Sequence, residues 1–563
     1  MKSFKMSIGL SDGLLKDTVV FGEPFHKSVS ELINSAEESE DIDSFLEEEL
    51  KTSIGDYCII FNKNAKKYLV TSVGFSGAFF SISKKDFFLS KHLKHAINQQ
   101  SELAFNEEIL LHYLKCKNSR LTSHLVSIFN DINVLGPAQC CAISFNGKLS
   151  FDVSSYQKLV DVNSNEEVFN IITDTISKIL EKCDDSSLMF SGGIDSLLIG
   201  MAIEASGYKP KTFTYWRSAS GDNNPLKAKA FANKLNWEHM IVEDEEELPS
   251  GKVLEHLRSL MSLDLINPKN PHWGKDPYNS SYTFSGQNAD SMSVLNISKR
   301  RIYDFDNKIK KMVMPYLLFG KNLLFTDYSL NHPSIVSNIF NTGLFYQKKW
   351  RFHADNFIEG LAAYGIPFKN IDYFERSGAI GQLKNSFLDL TKNRSYNNKD
   401  LAELYLLHTY MATSLSNIQK NENFQNRKTL LPFNSGPIIS YFFNKKRGIY
   451  DAWSAKHELS KIVSNRLNES YDKSVLKVQH IQKDKNFKFK NNIEPCDLMK
   501  EFNYKRQTNR LNIFSYTKNW SHESLIELEN YISMIGNKID GGKLSNEETS
   551  LIYRIVNVEL LLE

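Results

Sequence analysis

The stretch from Ser187 to Ala205 constrains this chain more than any other. Ser187-Leu188-Met189-Phe190 has the length and composition of a buried strand, Ser191-Gly192-Gly193-Ile194-Asp195-Ser196 follows with no spacer, and Leu197 to Ala205 reads as an apolar helix. A strand that turns directly into a helix belongs to a parallel sheet, because parallel neighbours need a crossover to return the chain to the starting edge. The continuation agrees: Lys211 to Tyr215 reads as the next strand, Leu226 to Leu235 as a helix and His239 to Val242 as a third strand. The expected fold of this part is therefore α/β with a parallel sheet.

The turn between strand and helix predicts chemistry as well as topology. Backbone N–H groups and the positive end of the helix dipole converge there, which makes an anion site. Gly192 and Gly193 let the backbone come close to an oxyanion, and the hydroxyls of Ser191 and Ser196 add donors. Asp195 would repel a bare phosphate, so its presence beside those donors implies Mg²⁺ between carboxylate and phosphate. The loop thus predicts a magnesium-bound polyphosphate. An ordinary strand-to-helix turn capped by Ser and Asp uses the same residue types. Six specified residues in a strand–loop–helix context favour the anion site.

The region before this unit is different. Gly55 to Phe61, Tyr68 to Val73 and Ala78 to Ile82 are short runs rich in aromatic and β-branched residues, separated by Asn, Lys and Gly turns. They predict a largely antiparallel sheet domain with helices around it. A polar stretch, Asp161 to Glu167, precedes the 3.6-period pattern of Val168, Ile171, Ile172, Ile176, Ile179 and Leu180. We place the boundary near Asn165, giving domains 1–165 and 166–563. Beyond Pro315 the chain reads as mainly helical. From Glu501 onward it is helical again, and the apolar run Leu551 to Val556 is expected to pack back on the body. No internal repeat is visible.

With 563 residues and 41% of them apolar, the chain has room for roughly two to four domains and for several cores. A formal net charge of +2 gives no long-range field for nucleic acid, so a polyanion would have to be held locally. The six cysteines are scattered without a C-x-x-C pair and read as reduced, mostly buried thiols. No apolar run reaches signal-peptide or membrane-spanning length, which sets the expectation of a cytoplasmic protein with no membrane partner.

Ser191-Gly192-Gly193-Ile194-Asp195-Ser196 resembles the pyrophosphate loop of the ATP pyrophosphatase superfamily, whose members adenylate a substrate and release pyrophosphate. Within it the chain is most similar to the asparagine synthetase family. Thr212-Phe213-Thr214-Tyr215 stands where that family has the second strand under the nucleotide, which implies Thr214 as a nucleotide contact. Ala228 to Leu235 with Glu238-His239 resembles its next helix and strand. Tyr282 to Asp290 resembles its strand plus Gly-x-Gly-x-Asp loop, with Gly286 at the nucleotide, Asn288 in place of the second glycine and Asp290 as second magnesium ligand beside Asp195. Alone, Asp290 reads equally as a helix cap or a solvated loop acid. Lys456-His457-Glu458-Leu459 resembles the helix that supplies a lysine near the acyl-adenylate, and Lys456 reads either so or as a surface lysine.

The resemblance implies a parallel-sheet ATP pyrophosphatase domain with a helical C-terminal part, preceded by a degenerate glutaminase-like domain. It further implies ATP and Mg²⁺ as cofactors and an AMP-forming carbon–nitrogen ligase that joins a small-molecule or peptide carboxylate to an amine; a homo-oligomer stays open. Two departures narrow the reaction. The start of the chain has Lys2-Ser3 where working glutaminases of the family carry an amino-terminal cysteine, so no thioester route to ammonia is expected and the domain reads as a scaffold or a partner surface. In Arg427 to Asn434 the family's acid is Lys428 and its arginine is Leu430, although Pro432-Phe433 is kept. The missing cysteine with the sheet domain retained resembles the β-lactam synthetases and lasso-peptide cyclases, which close a ring within one substrate, and Leu431-Pro432-Phe433 without its acid is more similar to the lasso cyclases than to true asparagine synthetases. A nucleobase- or tRNA-modifying adenylating enzyme and a non-catalytic nucleotide-binding protein are the alternatives. The proline-rich Asn267 to Trp273 and the lysine-rich Lys473 to Lys490 read as loops near the site or as solvated segments.

Overall fold

The run Gly55–Lys63 carries apolar side chains on both faces, and that decides the architecture of the first third of the chain. Tyr57, Ile59 and Phe61 point one way into a helix-covered core. Cys58 and Ile60 point the other way into a core shared with a second sheet. The computed structural model describes residues 6–9, 19–64, 66–82, 86–115, 125–145, 149–156, 168–183, 185–216, 225–243, 258–259, 261–265, 276–289, 378–392, 404, 407–411, 428–444, 457–467, 496–508, 510–540 and 546–563.

Among the described residues, nine strands form the two sheets: β1 (Met6–Gly9), β2 (Val19–Pro24), β3 (Gly55–Lys63), β4 (Lys66–Thr71), β5 (Ala78–Ile82), β6 (Asp86–Ser90), β7 (Asn133–Leu135), β8 (Gln139–Phe145) and β9 (Leu149–Ser155). Their orders are β2-β3-β4-β8-β9 and β1-β6-β5-β7, with every pairing antiparallel. The expected antiparallel region is thus a sandwich of two sheets. Leu69, Cys141 and Ile143 from one meet Phe80, Phe87, Leu89 and Leu135 from the other. Cys58, Cys140, Cys141 and Cys183 are buried, and burial holds the Cys58 and Cys141 thiols well above their ordinary range.

Helices α1 (Val29–Glu38) and α2 (Ile42–Thr52) cover the outer face of the first sheet. A capping box starts α1: Glu31 N–H donates to Ser28 Oγ at 3.2 Å, and Ser28 N–H donates to Glu31 Oε2 at 2.7 Å. Asp41 caps α2 through Ser44 N–H at 2.7 Å. The outer face of the second sheet, with Phe79 and Phe88, is covered by α3 (Leu93–Ile97) and α4 (Glu107–Lys115).

Helix α5 (Val168–Leu180) follows, with Val168, Ile172, Ile176, Ile179 and Leu180 buried as their spacing predicts. It packs on α6 (Ile194–Ala205) at the start of a parallel sheet. That sheet holds β10 (Ser186–Met189), β11 (Lys211–Trp216), β12 (Glu238–Glu243), β13 (Tyr282–Ser285) and β14 (Lys428–Leu430), with α7 (Pro225–Lys234) between β11 and β12. The order is β12-β11-β10-β13-β14 and all pairings are parallel. The core beneath the first antiparallel sheet continues into α5 and α6 without a break. The expected boundary at Asn165 lies outside the described residues.

The remaining described segments are helical, as expected: α8 (Gly378–Thr391), α9 (Gly436–Asn444), α10 (His457–Leu467), α11 (Cys496–Gln507), α12 (His522–Asp540) and α13 (Asn546–Leu562). The final helix does pack back on the body, and its seat is the amino-terminal sandwich: Ile552, Ile555, Val556 and Leu560 share a core with α3 and α4. Polar contacts fix the seat. Arg554 donates to the Tyr113 and Leu114 carbonyls, both at 3.1 Å, and Asn557 Nδ2 donates to the Met261 carbonyl at 2.7 Å and the Asp264 carbonyl at 2.8 Å. Much of 301–400 lies outside the described residues.

Candidate functional site

The chain adds β11 and then β12 on one side of β10, and later adds β13 and β14 on the other. The carboxyl ends of β10 and β13 therefore border a topological switch point. Loops leaving adjacent strands there diverge to opposite directions, which opens the crevice where parallel sheets bind ligands. Register brings the two loops side by side, with Met189 opposite Ser285. Phe190 and Gly286 thus leave the sheet together. Among the described strands, the segment singled out from sequence sits where topology alone predicts a site.

The first loop is held by its own residues. Phe190 N–H donates to the Phe213 carbonyl at 2.8 Å, extending β10 by one bond. Ser191 N–H donates to Ser196 Oγ at 3.3 Å, the two hydroxyls lie 3.2 Å apart, and Gly193 N–H donates to Ser191 Oγ at 3.2 Å. Gly192 has φ +68°, and a Cβ there would sit 3.0 Å from Ala228 N, so only glycine fits between the loop and α7. Gly193 is the N-cap of α6 and contributes no side-chain cap. The first-turn N–H groups of α6, which have no partner within the helix, face the same end of the sheet. Asp195 lies in that first turn, partly buried, and Ser196 is buried.

The second loop packs against the first at Gly286. A Cβ on Gly286 would lie 2.7 Å from Ser196 N, 2.9 Å from the Asp195 carbonyl carbon and 3.0 Å from Asp195 Cβ. Asn288, which takes the place of a glycine in the resemblance, has φ +72°, a left-handed conformation that asparagine tolerates better than most residues. Its Nδ2 donates to Asn434 Oδ1 at 2.8 Å. Asn434 ends the 3₁₀ turn Pro432–Asn434 that follows β14, so the Pro-Phe segment does reach this end of the sheet.

Not every expected residue converges here. Thr214 is buried on β11 beside the loop, and its hydroxyl donates to the Phe190 carbonyl, bracing the residue before Ser191. Asp290 and Lys456 lie outside the described residues. So do the segments 267–273 and 473–490. Helix α10 begins one residue after Lys456 and packs on α6 through Leu459 and Val463. Lys428 stands at the opposite end of the sheet: it pairs with Glu23 at 2.7 Å, lies 5.3 Å over the Tyr282 ring, and Tyr282 also donates to Glu23 at 2.7 Å. Four residues of strand, roughly 13 Å, separate that clamp from the loops. Lys428 is therefore spent on joining the sheet to the sandwich.

Sequence reasoning missed two supports of the site. Asp276, buried, accepts from Ser187 Oγ at 2.6 Å, Tyr278 N–H at 2.9 Å and Ser280 N–H at 3.2 Å, locking β10 to β13 from the amino ends of both strands. Gly200 in α6 lies against Trp237; a Cβ there would come within 2.4 Å of the indole ring. Asp276 carries no signal in the sequence beyond a turn acid near Pro277, and Gly200 none beyond a glycine within an apolar helix. On β12, burial lowers His239 to about 4, and its Nδ1 bonds the Thr212 hydroxyl at 2.8 Å.

Hydroxyls, backbone N–H groups and one carboxylate suit a magnesium-bound polyphosphate, since Mg²⁺ is usually held by one or two carboxylates plus phosphate oxygens and water. Among the described residues no group of three or more His, Cys, Asp or Glu forms a metal cage of its own. No helix among them is long and apolar enough to cross a membrane. No protein-family model matches the sequence, and no curated protein matches it.

Proposed function

We propose that the crevice between the Ser191–Ser196 and Gly286–Ala289 loops binds Mg·ATP and that the protein is an adenylating ligase of the asparagine synthetase type. The parallel sheet would then be an ATP pyrophosphatase-type domain, with ATP cleaved between the α- and β-phosphates. The observation that carries this reading is the coincidence of two independent features. The sequence motif for a pyrophosphate loop falls at the topological switch point of the sheet, and the second loop is in backbone contact with it.

In this reading each residue has a role. The α6 N-terminus and the Ser191 and Ser196 hydroxyls would hold the leaving pyrophosphate, and Asp195, with Asp290, would hold a magnesium ion that neutralises its charge. The acceptor carboxylate attacks the α-phosphate and an amine then displaces AMP, so the chain's task is to orient these groups. The family acid is absent at Lys428, and that lysine is engaged with Glu23. This supports a substrate other than aspartate, including an acid and amine within one molecule, as in the ring-closing members.

The test is calorimetric titration of ATP into the full chain and its Asp195→Asn variant, with and without Mg²⁺. The reading predicts a sign inversion. With magnesium the variant binds ATP more weakly than wild type; in EDTA it binds more tightly, because a carboxylate facing bare phosphate has been neutralised. Absence of ATP binding by the wild type, or a variant effect of one sign in both conditions, would contradict it.

A further inference from the structure

The amide pair between the second loop and the Pro-Phe turn connects the candidate site to the amino-terminal sandwich. Asn288 and Asn434 are 6% and 3% exposed, so their hydrogen bond is sheltered from water. On its far side the turn rests on the sandwich. Gly436 N–H donates to the Ser53 carbonyl at 2.8 Å, and Ser440 Oγ donates to the Leu50 carbonyl at 3.2 Å. A Cβ on Gly74 would lie 2.8 Å from the Asn434 carbonyl oxygen and 2.8 Å from the Gly55 carbonyl oxygen, so the β4–β5 connection seats directly on the Asn434 backbone. On its near side the Asn288 turn continues from Gly286, which touches Asp195 and Ser196.

We propose that Asn434 is a positioning residue: its carboxamide sets the 286–289 turn against the Ser191–Ser196 loop, and the sandwich holds Asn434 in place from behind. The sandwich thereby acts on the site as a fixed support, through Ser53 and Gly74. This bond tethers the side chain of the left-handed turn at Asn288. Loss of the acceptor leaves a buried N–H donor unsatisfied, and the turn is released to seek water. Gly286 moves with it, and so does the contact that fixes the start of α6.

The experiment is hydrogen–deuterium exchange on the full chain, read at 191–196, 286–289 and 432–436, for Asn434→Ala, Asn434→Asp and Gly74→Ala. Asn434→Ala should speed exchange about tenfold in both site loops. Asn434→Asp keeps an acceptor for Asn288 Nδ2 and should return both loops to within about threefold of wild type. Gly74→Ala, which displaces the Asn434 backbone without touching either amide, should release the same two loops. Should Gly74→Ala fail to fold, the two Asn434 variants decide the matter. Faster exchange confined to 432–436 and 286–289, or no rescue by Asn434→Asp, would overturn the proposal. The inference rests on the Mg·ATP reading only for its consequence, a rise in ATP Kd that tracks exchange at 191–196. A wild type that binds no ATP would remove that reading and leave the exchange result to judge the positioning role by itself.

Discussion

Gly286→Ala should disable the site while leaving the rest of the molecule intact. The added methyl would sit 2.7 Å from Ser196 N, 2.9 Å from the Asp195 carbonyl carbon and 3.0 Å from Asp195 Cβ. Ordinary van der Waals contact begins at about 3.4 Å, and these neighbours are backbone and a Cβ rather than the end of a flexible side chain, so the two loops must part by roughly 0.5–1 Å. Overpacking of this kind costs about 1–3 kcal/mol, and a reacting group misplaced by about 1 Å loses about 100-fold in rate. The assay is Mg·ATP affinity by calorimetry, followed by ATP cleavage once an acceptor is known. We expect Kd to rise at least tenfold and turnover to fall about 100-fold. Gly381→Ala is the control: nothing lies within 4 Å of a Cβ in that α8 position, and the change should stabilise the helix by about 1 kcal/mol without altering ATP binding. A Gly286→Ala protein that binds Mg·ATP within about threefold of wild type would refute the proposed apposition of the loops.

Two further outcomes are expected. Asp276→Ala strips Ser187 Oγ and the Tyr278 and Ser280 N–H groups of a buried acceptor at once; it should destabilise the parallel sheet by about 3–5 kcal/mol, seen as a lower thermal midpoint, and a shift under about 2 °C would contradict that role. His408, fully buried and 3.0 Å from Ser155 Oγ, is lowered to about 3 by burial. Its neutral form supports folding fully above the unfolded value of about 6.5, and that support is lost as pH falls towards 3, because the unfolded chain takes up a proton that the folded one refuses. Denaturant unfolding of His408→Gln should therefore lose about 1.4 kcal/mol per pH unit of acid slope between pH 6 and 4. His239, lowered to about 4, keeps some slope in the same window; an unchanged slope would show that His408 is protonated in place.

Much of the parallel sheet was legible because its signals are local. The strands at Ser187, Lys211 and His239 and the helix from Leu226 each fall within one residue of β10, β11, β12 and α7. Helix α6 starts at Ile194 rather than Leu197, since Gly193 already serves as N-cap and Asp195 and Ser196 occupy the first turn. The short strands escaped. β14 is three residues long and is placed by pairing with β13, and β2 contains Gly22 at φ +103° and ends at Pro24, residue types that carry no strand signal. The run Gly55 to Phe61 read as a strand of an antiparallel sheet, but nothing in it named the second sheet that covers one of its faces. At the site, Ser191 to Ser196 and Gly286 carried their own signature. The Asn288–Asn434 bond joins residues 146 positions apart, and two isolated asparagines give no periodic or motif signal.

The central claim is that this loop pair directs cleavage of ATP between the α- and β-phosphates. The most direct measurement incubates the purified chain with Mg·ATP and pools of carboxylates and amines, and separates AMP plus pyrophosphate from ADP plus phosphate, with Asp195→Asn in parallel. The expected products are AMP and pyrophosphate, formed only with a pool member and with Asp195 present. ADP and phosphate as the Asp195-dependent products would contradict the claim.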